Sequence, residues 1–179
     1  MIAYRVLDPH ELARVGEIDR TEQIDALYVQ HGEELEVVTG DFSAPPWRTE
    51  GGGEHSVAHQ VEECERWLAA GGTAIGAFAG ERLVAIGVVV PHVRDRTAQL
   101  AYLHVSGGFR GQGIGRRLSD ELDRLARAAG DTTMVVSATP SANTVAFYRR
   151  RGYDPTATPL PELYALEPDD VHLEKPLGP

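Results

Sequence analysis

The chain has 179 residues, of which 42% are hydrophobic, so it is long enough to form one globular domain with a buried core. Its formal net charge of −10 argues against a nucleic-acid partner, because a duplex would be repelled over most of the surface. The sequence contains no apolar run as long as a membrane span and opens with no signal peptide, so we expect a cytoplasmic protein with no membrane partner.

The first third of the chain predicts a strand, a helix and less regular segments. Residues 2–7 form a predicted strand, and an aspartate followed by a proline predicts a helix over 8–19. Residues 21–27 fit either a second short helix or an irregular crossing, and residues 34–38 alternate enough for a short strand. The prolines and glycines of 40–55 predict a loop insertion, in which a tryptophan is available to pack or to line a pocket.

The middle of the chain has clearer periodicity. A helix is predicted over 56–70, where two glycines end it. Two apolar strands over 73–79 and 82–90 are joined by a tight Gly-Glu turn, which predicts a β-hairpin.

Cys64 and the histidines offer little chemistry by themselves. Cys64 shares its helical spacing with Val61 and Leu68, which predicts a buried position rather than a reactive thiol. As the single cysteine, it excludes an internal disulfide and a cysteine metal cluster. His55 and His59 are four residues apart, but no third ligand follows at metalloprotease spacing, so we predict no metal site.

The stretch from Leu100 to Leu118 predicts a strand, a glycine turn and an amphipathic helix that begins near Gly113. Three glycines leave the backbone bare and three arginines surround the helix start (Gly111, Gly113, Gly115, Arg110, Arg116 and Arg117). Cations are unfavourable at the positive end of a helix dipole, so this cluster favours a phosphate or pyrophosphate ligand that accepts the free N–H groups. Charge-assisted hydrogen bonds of about 1.5–3 kcal/mol each would outweigh the repulsion. The alternative is a surface helix with solvated arginines.

The last third predicts a short buried strand over 132–137 and then a capped helix. Ser141 is suited to the N-cap, arginines fill the last turn, and Gly152 ends the helix. After a proline-containing segment, residues 170–175 alternate as a final strand.

Two of these segments resemble signatures of the GNAT superfamily of N-acetyltransferases. Arg110–Gly115 resembles its acyl-CoA signature, Arg/Gln-x-x-Gly-x-Gly/Ala, and the preceding Leu103–Val105 resembles the strand that leads into it. Downstream, the family's Asn-x-x-Ala-x-x-Phe-Tyr segment is matched by Asn143, Ala146, Phe147, Tyr148, Gly152 and Tyr153. The resemblance implies one α/β domain over 1–179, with a mixed, mostly antiparallel central sheet flanked by helices.

The resemblance also implies a reaction: transfer of an acetyl group from acetyl-CoA to a primary amine by direct attack in a ternary complex. The amine would belong to a small molecule or a protein, and the enzyme would be a monomer or a homodimer. The main chain of Leu103 and Val105 would face the thioester and pantetheine, Asn143 would contact the pantetheine arm, and Tyr148 would be the general acid unless it only packs on the sheet. The pyrophosphate would be held by Arg110, Gly111, Gln112, Gly113, Ile114, Gly115 and Arg116.

The general base is the part of the family pattern that this sequence lacks. The strand positions that carry a Glu or His in some members are Gln99 and Ala101, and neither accepts a proton. Candidates elsewhere are a water chain or one of four side chains, namely Glu22, Glu34, Glu36 and His104. Strand alternation predicts that His104 faces away from Gln99 and Ala101, which weakens it.

Two other functions remain open at this level. The missing base motivates a CoA-binding regulatory or sensor domain without turnover. A dinucleotide-binding domain is disfavoured, because the glycine turn follows late strands and no acidic ribose-binding residue stands in the expected place.

Overall fold

The computed structural model describes residues 1–178 and confirms the mixed α/β architecture. Its elements are β1 (Ile2–Val6), a 3-10 helix (Pro9–Glu17), β2 (Glu22–His31), β3 (Glu34–Ala44), α1 (Val57–Ala69), β4 (Thr73–Ala79), β5 (Arg82–Arg94), β6 (Thr97–Val105), a 3-10 turn (Gly107–Phe109), α2 (Ile114–Ala129), β7 (Thr133–Ala138), α3 (Ala142–Arg150), β8 (Asp154–Pro155), α4 (Pro161–Leu166) and β9 (Val171–Pro176). Seven strands form one sheet in the order β1-β4-β5-β6-β7-β9-β8, and β2 pairs with β3 in a separate hairpin.

Helices cover both faces of the main sheet. The apolar stripe of α2 packs on one face, where Leu118 and Leu122 are completely buried, and α3 contributes Tyr148 to the same core. The 3-10 helix and α1 cover the opposite face, with Leu12 and Cys64 buried against β4 and β5. The predicted burial of Cys64 is therefore confirmed.

The sheet opens between β6 and β7. All other neighbouring strands of the main sheet are antiparallel, but β6 and β7 are parallel and pair over only three positions, Thr97–Gln99 with Thr133–Val135. Beyond those positions the two strands separate. Because β6 continues to Val105 and β7 to Ala138, a gap opens between their carboxyl ends. Along this gap the backbones of β6 and β7 are not paired with each other.

A β-bulge in β6 changes which side chains share a face. Val88 pairs with Tyr102 and Val89 with Leu100, so Ala101 is the extra residue of the bulged strand. Leu100 and Leu103 both pack toward α2, while Tyr102 lies on the α1 side.

Several predicted boundaries are confirmed. Asp8 caps the first helical segment through its side chain, with a proline in the first turn, although the helix is of the 3-10 type. Ser56 and Ser141 cap α1 and α3, and the turn at 80–81 joins β4 to β5 as a hairpin.

The region between the first helical segment and α1 differs most from its prediction. Residues 21–27 are neither a helix nor an irregular crossing, because β2 runs through them and pairs with β3. The strand β3 extends to Ala44, so the irregular part of the predicted insertion begins at Pro45. The hairpin is anchored on the segment that joins β7 to α3, where Tyr28 N donates to the carbonyl oxygen of Pro140 at 2.8 Å. The pairing with β3 and the hydrogen bond to Pro140 outweigh the weak local preference of residues 21–27 for any one secondary structure. The short helix α4 was also not predicted.

Candidate active site

The start of α2 presents bare backbone. Gly113 occupies the N-cap position at φ 80° and Gly111 has φ 74°, the left-handed region that favours glycine. A Cβ on either residue would meet no atom within 4 Å, so the space beside this loop is open. A Cβ on Gly115 would contact Phe147 and Val105 at 3.5 Å, which ties the first helical turn to α3 and β6. The glycine loop before α2 thus borders open space, next to β6 and α3.

Arg110 is engaged by the protein itself. Its Nε donates to the carbonyl oxygen of Val105 at 3.1 Å, and its Nη1 and Nη2 donate to the carbonyls of Thr21 and Arg20 at 3.0 and 3.2 Å. Glu22 lies 3.8 Å from the same guanidinium. Arg110 therefore fastens the segment before β2 to the end of β6.

The other two arginines diverge. The guanidinium of Arg117 lies 4.1 Å from the centroid of the Tyr4 ring, which directs it toward β1. Arg116 is exposed in the first turn of α2. The neighbouring Gln112 is engaged within the loop, because its side-chain amide donates to the carbonyl oxygen of Gly108 at 3.1 Å. Of the three cations at the helix start, Arg116 is the one best placed for an external anion.

Asn143 is exposed in the first turn of α3. Its Nδ2 donates to Glu22 Oε1 at 2.9 Å, so Glu22 joins Asn143 to Arg110. Counting back six residues from Phe147, the Asn position of the quoted family motif falls on Ser141, the N-cap of α3, rather than on Asn143.

The strand residues before the glycine loop border the gap. Leu103 and Val105 pair with Gly87 and Ala85 of β5 along one edge of β6. Their other edge faces β7, but the pairing between β6 and β7 has already ended at Gln99. The main-chain groups on that edge are accordingly free of strand pairing to β7.

Tyr148 lies on the inner face of α3 with only 5% of its surface exposed. Its ring makes edge-on contacts with Phe147 and Tyr153 at centroid distances of 5.2 and 5.3 Å. Burial, and to a lesser degree the negative charge of Asp170, raise the pKa of Tyr148 above the usual 10. The phenol consequently keeps its proton throughout the neutral range.

His104 lies on a different face from the one expected. Strand alternation alone places it opposite Gln99 and Ala101, and this prediction is wrong because the bulge at Ala101 shifts the alternation by one residue. The His104 ring instead packs against Tyr102 in a tilted arrangement and against Trp47 edge-on, at centroid distances of 4.5 and 5.4 Å. Trp47 therefore packs from the 45–56 loop onto this aromatic row.

The environment of His104 makes it a weak base. Burial, followed by the positive charges of Arg20 and Arg110, lowers the pKa of His104 to about 4. Arg20 reaches this row by lying over the Trp47 ring, with 4.2 Å between the guanidinium carbon and the ring centroid. The imidazole is therefore neutral at pH 7 and takes up a proton only near pH 4.

The carboxylates considered as bases are also poorly suited to that role. Glu22 is held by Arg110 and Asn143, as described above. Glu34 and Glu36 lie near the hairpin turn in the outer strand β3, where both are exposed and Glu36 contacts His31 at 3.0 Å.

A carboxylate that sequence reasoning missed lies at the diverging end of β7. Asp170 directly precedes β9 and accepts a hydrogen bond from Ser137 Oγ at 3.4 Å. Burial, then the nearby charge of Glu167, raises the pKa of Asp170 to about 7. The available signal was its position as the first residue of the predicted final strand, 170–175.

Residues 1–178 contain no group of three or more His, Cys, Asp or Glu side chains placed to hold a metal ion. Nor do they include a helix whose length and apolar content would let it cross a bilayer.

Comparisons with known proteins agree with this geometry. Residues 41–153 match the family model described as the acetyltransferase (GNAT) family. A nourseothricin acetyltransferase structure has a TM-score of 0.73 at 17% identity, covering 99% of both chains. The PaiA N-acetyltransferase of Thermoplasma acidophilum, solved with coenzyme A, has a TM-score of 0.63 at 16% identity, covering 98% of this chain and 99% of its own.

A third structure is the ribosomal-protein-S18-alanine N-acetyltransferase of Escherichia coli, with a TM-score of 0.61 at 15% identity, covering 100% of this chain and 96% of its own. Identities this low show a shared fold. No curated protein matches the sequence.

Proposed function

The chain belongs to the GNAT family of acetyltransferases, and from that premise we propose that it transfers an acetyl group from acetyl-CoA to a primary amine by direct attack in a ternary complex. The observation that carries the proposal is the gap between β6 and β7 beside the bare start of α2. A strand edge without a partner suits the amide-containing pantetheine arm, and a helix N-terminus suits the pyrophosphate.

In this proposal, the residues from Gly111 to Arg116 bind the pyrophosphate through backbone N–H groups. Leu103 offers its main chain and Val105 its N–H to the pantetheine and thioester, since the Val105 carbonyl already accepts from Arg110, and an N–H near Leu103 stabilises the tetrahedral oxyanion. Arg110 and Asn143 take part mainly by holding the walls of the site, because both side chains are engaged around Glu22.

Tyr148 is the proposed general acid. The thiolate that leaves has a conjugate pKa near 8.5 and is a better leaving group when it receives a proton as the C–S bond breaks. The raised pKa of Tyr148 keeps its phenol protonated in every turnover at neutral pH.

The charge around the gap favours a cationic acceptor. Residues 22–44, the β2–β3 hairpin that crosses the end of β7, contain six acidic residues and no Lys or Arg. Glu167, Asp169 and Asp170 add three carboxyl groups before β9. This field attracts ammonium groups and repels anions. A further similar structure is an aminoglycoside 6'-N-acetyltransferase, with a TM-score of 0.56 at 20% identity, covering 67% of this chain and 81% of its own. Its named acceptor and that of the ribosomal-protein-S18-alanine N-acetyltransferase are compatible with a primary amine.

The direct test is release of the CoA thiol from acetyl-CoA with a panel of small amines, aminoglycosides and peptides with a free N-terminus. Tyr148→Phe is expected to lower kcat by about 10²–10⁴-fold while leaving CoA affinity intact, since it removes only the proton donor. Tyr153→Phe is the matched control, because its hydroxyl is buried without a hydrogen-bond partner within residues 1–178 and its ring neighbours Tyr148. Equal activity of both variants would contradict the acid role.

A CoA-binding sensor without turnover is the second candidate, and the absence of a base at Gln99 and Ala101 is the observation that favours it. Tight CoA binding together with no thiol release on any amine would support it. Rapid acetylation of one acceptor would eliminate it.

A further inference from the structure

Direct transfer to an amine requires a proton acceptor, and the candidates on β6 and the hairpin do not supply one. Gln99 and Ala101 lack basic groups, His104 is held near pKa 4, and Glu22 is occupied by Arg110 and Asn143. A side-chain base, as opposed to a water chain, would therefore have to come from another element.

The segment before β9, beside the carboxyl end of β7, carries a candidate. Ala138, the last residue of β7, pairs with Val171, so Asp170 lies immediately beyond the final pair of the β7–β9 ladder. Ser137 belongs to the part of β7 that has separated from β6, and its hydroxyl donates to Asp170 Oδ2 at 3.4 Å. The Asp170 main chain is fixed as well, because its N–H donates to the carbonyl oxygen of Glu167 at 3.2 Å.

Asp170 and Tyr148 also share one electrostatic environment. The negative charge of Asp170 contributes to the raised pKa of Tyr148. Protonation of Asp170, on the β9 side, therefore changes the acidity of Tyr148 on α3.

We propose that Asp170 is the general base of this acetyltransferase, accepting a proton from the ammonium group of the acceptor at the open end of β7, while Tyr148 protonates the leaving sulfur. This assignment rests on the proposed transfer to an amine.

The protons and electrons of this step balance. The ammonium loses one proton to the Asp170 carboxylate, the nitrogen lone pair forms the C–N bond, and the C–S electron pair leaves with sulfur. Sulfur takes the proton of Tyr148, and the second nitrogen proton returns through water to the phenolate. An amide and the CoA thiol are released, and Asp170 gives its proton to solvent.

The surroundings of Asp170 suit this role. Burial and the like charges of Glu167 and Asp169 raise its pKa from 3.8 to about 7, against a smaller opposing effect of the Ser137 hydrogen bond. Its carboxylate is therefore roughly a thousandfold more basic than that of a solvated aspartate. When Asp170 takes up a proton its charge disappears, which lowers the pKa of Tyr148 and makes the phenol a better donor at the moment the thiolate forms.

The experiment is the pH dependence of kcat for wild type and Asp170→Asn with one amine acceptor, together with acetyl-CoA affinity and thermal unfolding. For wild type, log kcat should increase with pH up to a break near pH 7 and remain constant at higher pH. In Asp170→Asn the break should disappear, with kcat about 10²–10⁴-fold lower at pH 7 and a smaller loss at pH 9, where more acceptor is already neutral. Acetyl-CoA affinity should not change.

Thermal unfolding separates catalysis from structure. The folded pKa of Asp170 lies above its unfolded value, so the protein loses stability as pH rises from about 4 through about 7. Asp170→Asn removes this cost and should melt at a higher temperature than wild type above pH 7, although it is less active. An aspartate with a stabilising structural role would give the opposite result.

Asp95→Asn is the matched control, since Asp95 is exposed in the turn between β5 and β6 and is not among the groups that shift the pKa of Asp170. It should keep both the plateau of kcat and the position of the break. If wild type turns over while Asp170→Asn retains the break and a kcat within threefold, the base assignment is overturned and the transferase proposal stands. If wild type acetylates no amine at all, the transferase proposal and the base assignment both fall.

Discussion

A glutamate in place of Gly113 should abolish tight acetyl-CoA binding while leaving the protein folded. Gly113 caps α2 at φ 80°, and the carboxylate would enter the open space that we assign to the pyrophosphate. Gly130 caps the other end of the same helix at φ 96°, and a Cβ there would also meet nothing within 4 Å. Gly130→Glu is therefore a control with the same charge change and the same kind of backbone strain.

Gly113→Glu should be the more stable of the two variants and the weaker binder of acetyl-CoA. A side chain in the left-handed region costs roughly 1–2 kcal/mol at either position. A carboxylate recovers about 0.3–1 kcal/mol of that cost at the helix N-terminus and adds a similar cost at the C-terminus. Gly113→Glu should accordingly be the more stable of the two variants.

Acetyl-CoA affinity should follow the reverse order. Losing two charge-assisted hydrogen bonds to the pyrophosphate, at about 1.5–3 kcal/mol each, corresponds to at least a hundredfold weaker binding in Gly113→Glu. Gly130→Glu should bind as wild type does. Calorimetric titration with acetyl-CoA measures affinity, and urea unfolding measures stability. If Gly113→Glu binds acetyl-CoA within threefold of Gly130→Glu, the pyrophosphate does not lie at the helix start and the cofactor assignment fails.

Two further predictions concern the core. Lys175 Nζ and Asp123 Oδ2 form a buried ion pair, 2.6 Å apart. Lys175→Met should lower the free energy of unfolding in urea by about 3–5 kcal/mol, because it leaves an unpaired carboxylate inside the protein. The Lys175→Met/Asp123→Leu double variant should recover most of that loss, and an equal loss in both variants would refute the reasoning. Burial raises the pKa of the Cys64 thiol to about 12, so its reaction with a thiol reagent at pH 8 should be limited by unfolding, and modification within seconds in native buffer would contradict this.

The elements around the cofactor site were predictable because local chemistry dictates them. Gly113 and Gly130 bound α2 at the two ends of its apolar stripe, and Ser141 caps α3 by accepting from the Thr144 N–H. Each signal lies within four residues of the boundary that it sets. Such short-range signals survive folding with little interference from tertiary contacts.

The β2–β3 hairpin and the orientation of His104 were not predictable, because neither is set by short-range signals. The strand character of β2 depends on pairing with β3 and on the hydrogen bond from Tyr28 to Pro140, more than a hundred residues away. One extra residue at Ala101 transfers His104 to the other face of the sheet, and nothing in the alternation of β6 marks that position as a bulge. A hydrogen bond to a distant residue and a one-residue shift of register leave no local trace in the sequence.

The same distinction explains why the donor side of the reaction can be assigned more closely than the acceptor side. The groups proposed to hold acetyl-CoA come from the continuous segment 103–116, so their spacing in the sequence carries their geometry. The acceptor side is assembled from the hairpin, the 45–56 loop and the approach to β9, which meet only through contacts such as that of Gln30 with His172. Charge is the acceptor property that survives this assembly, because a hairpin with six carboxylates and no lysine or arginine is acidic in any register. The proposed preference for a cationic amine therefore rests on composition, whereas the shape that selects one amine over another depends on how these separate segments pack together.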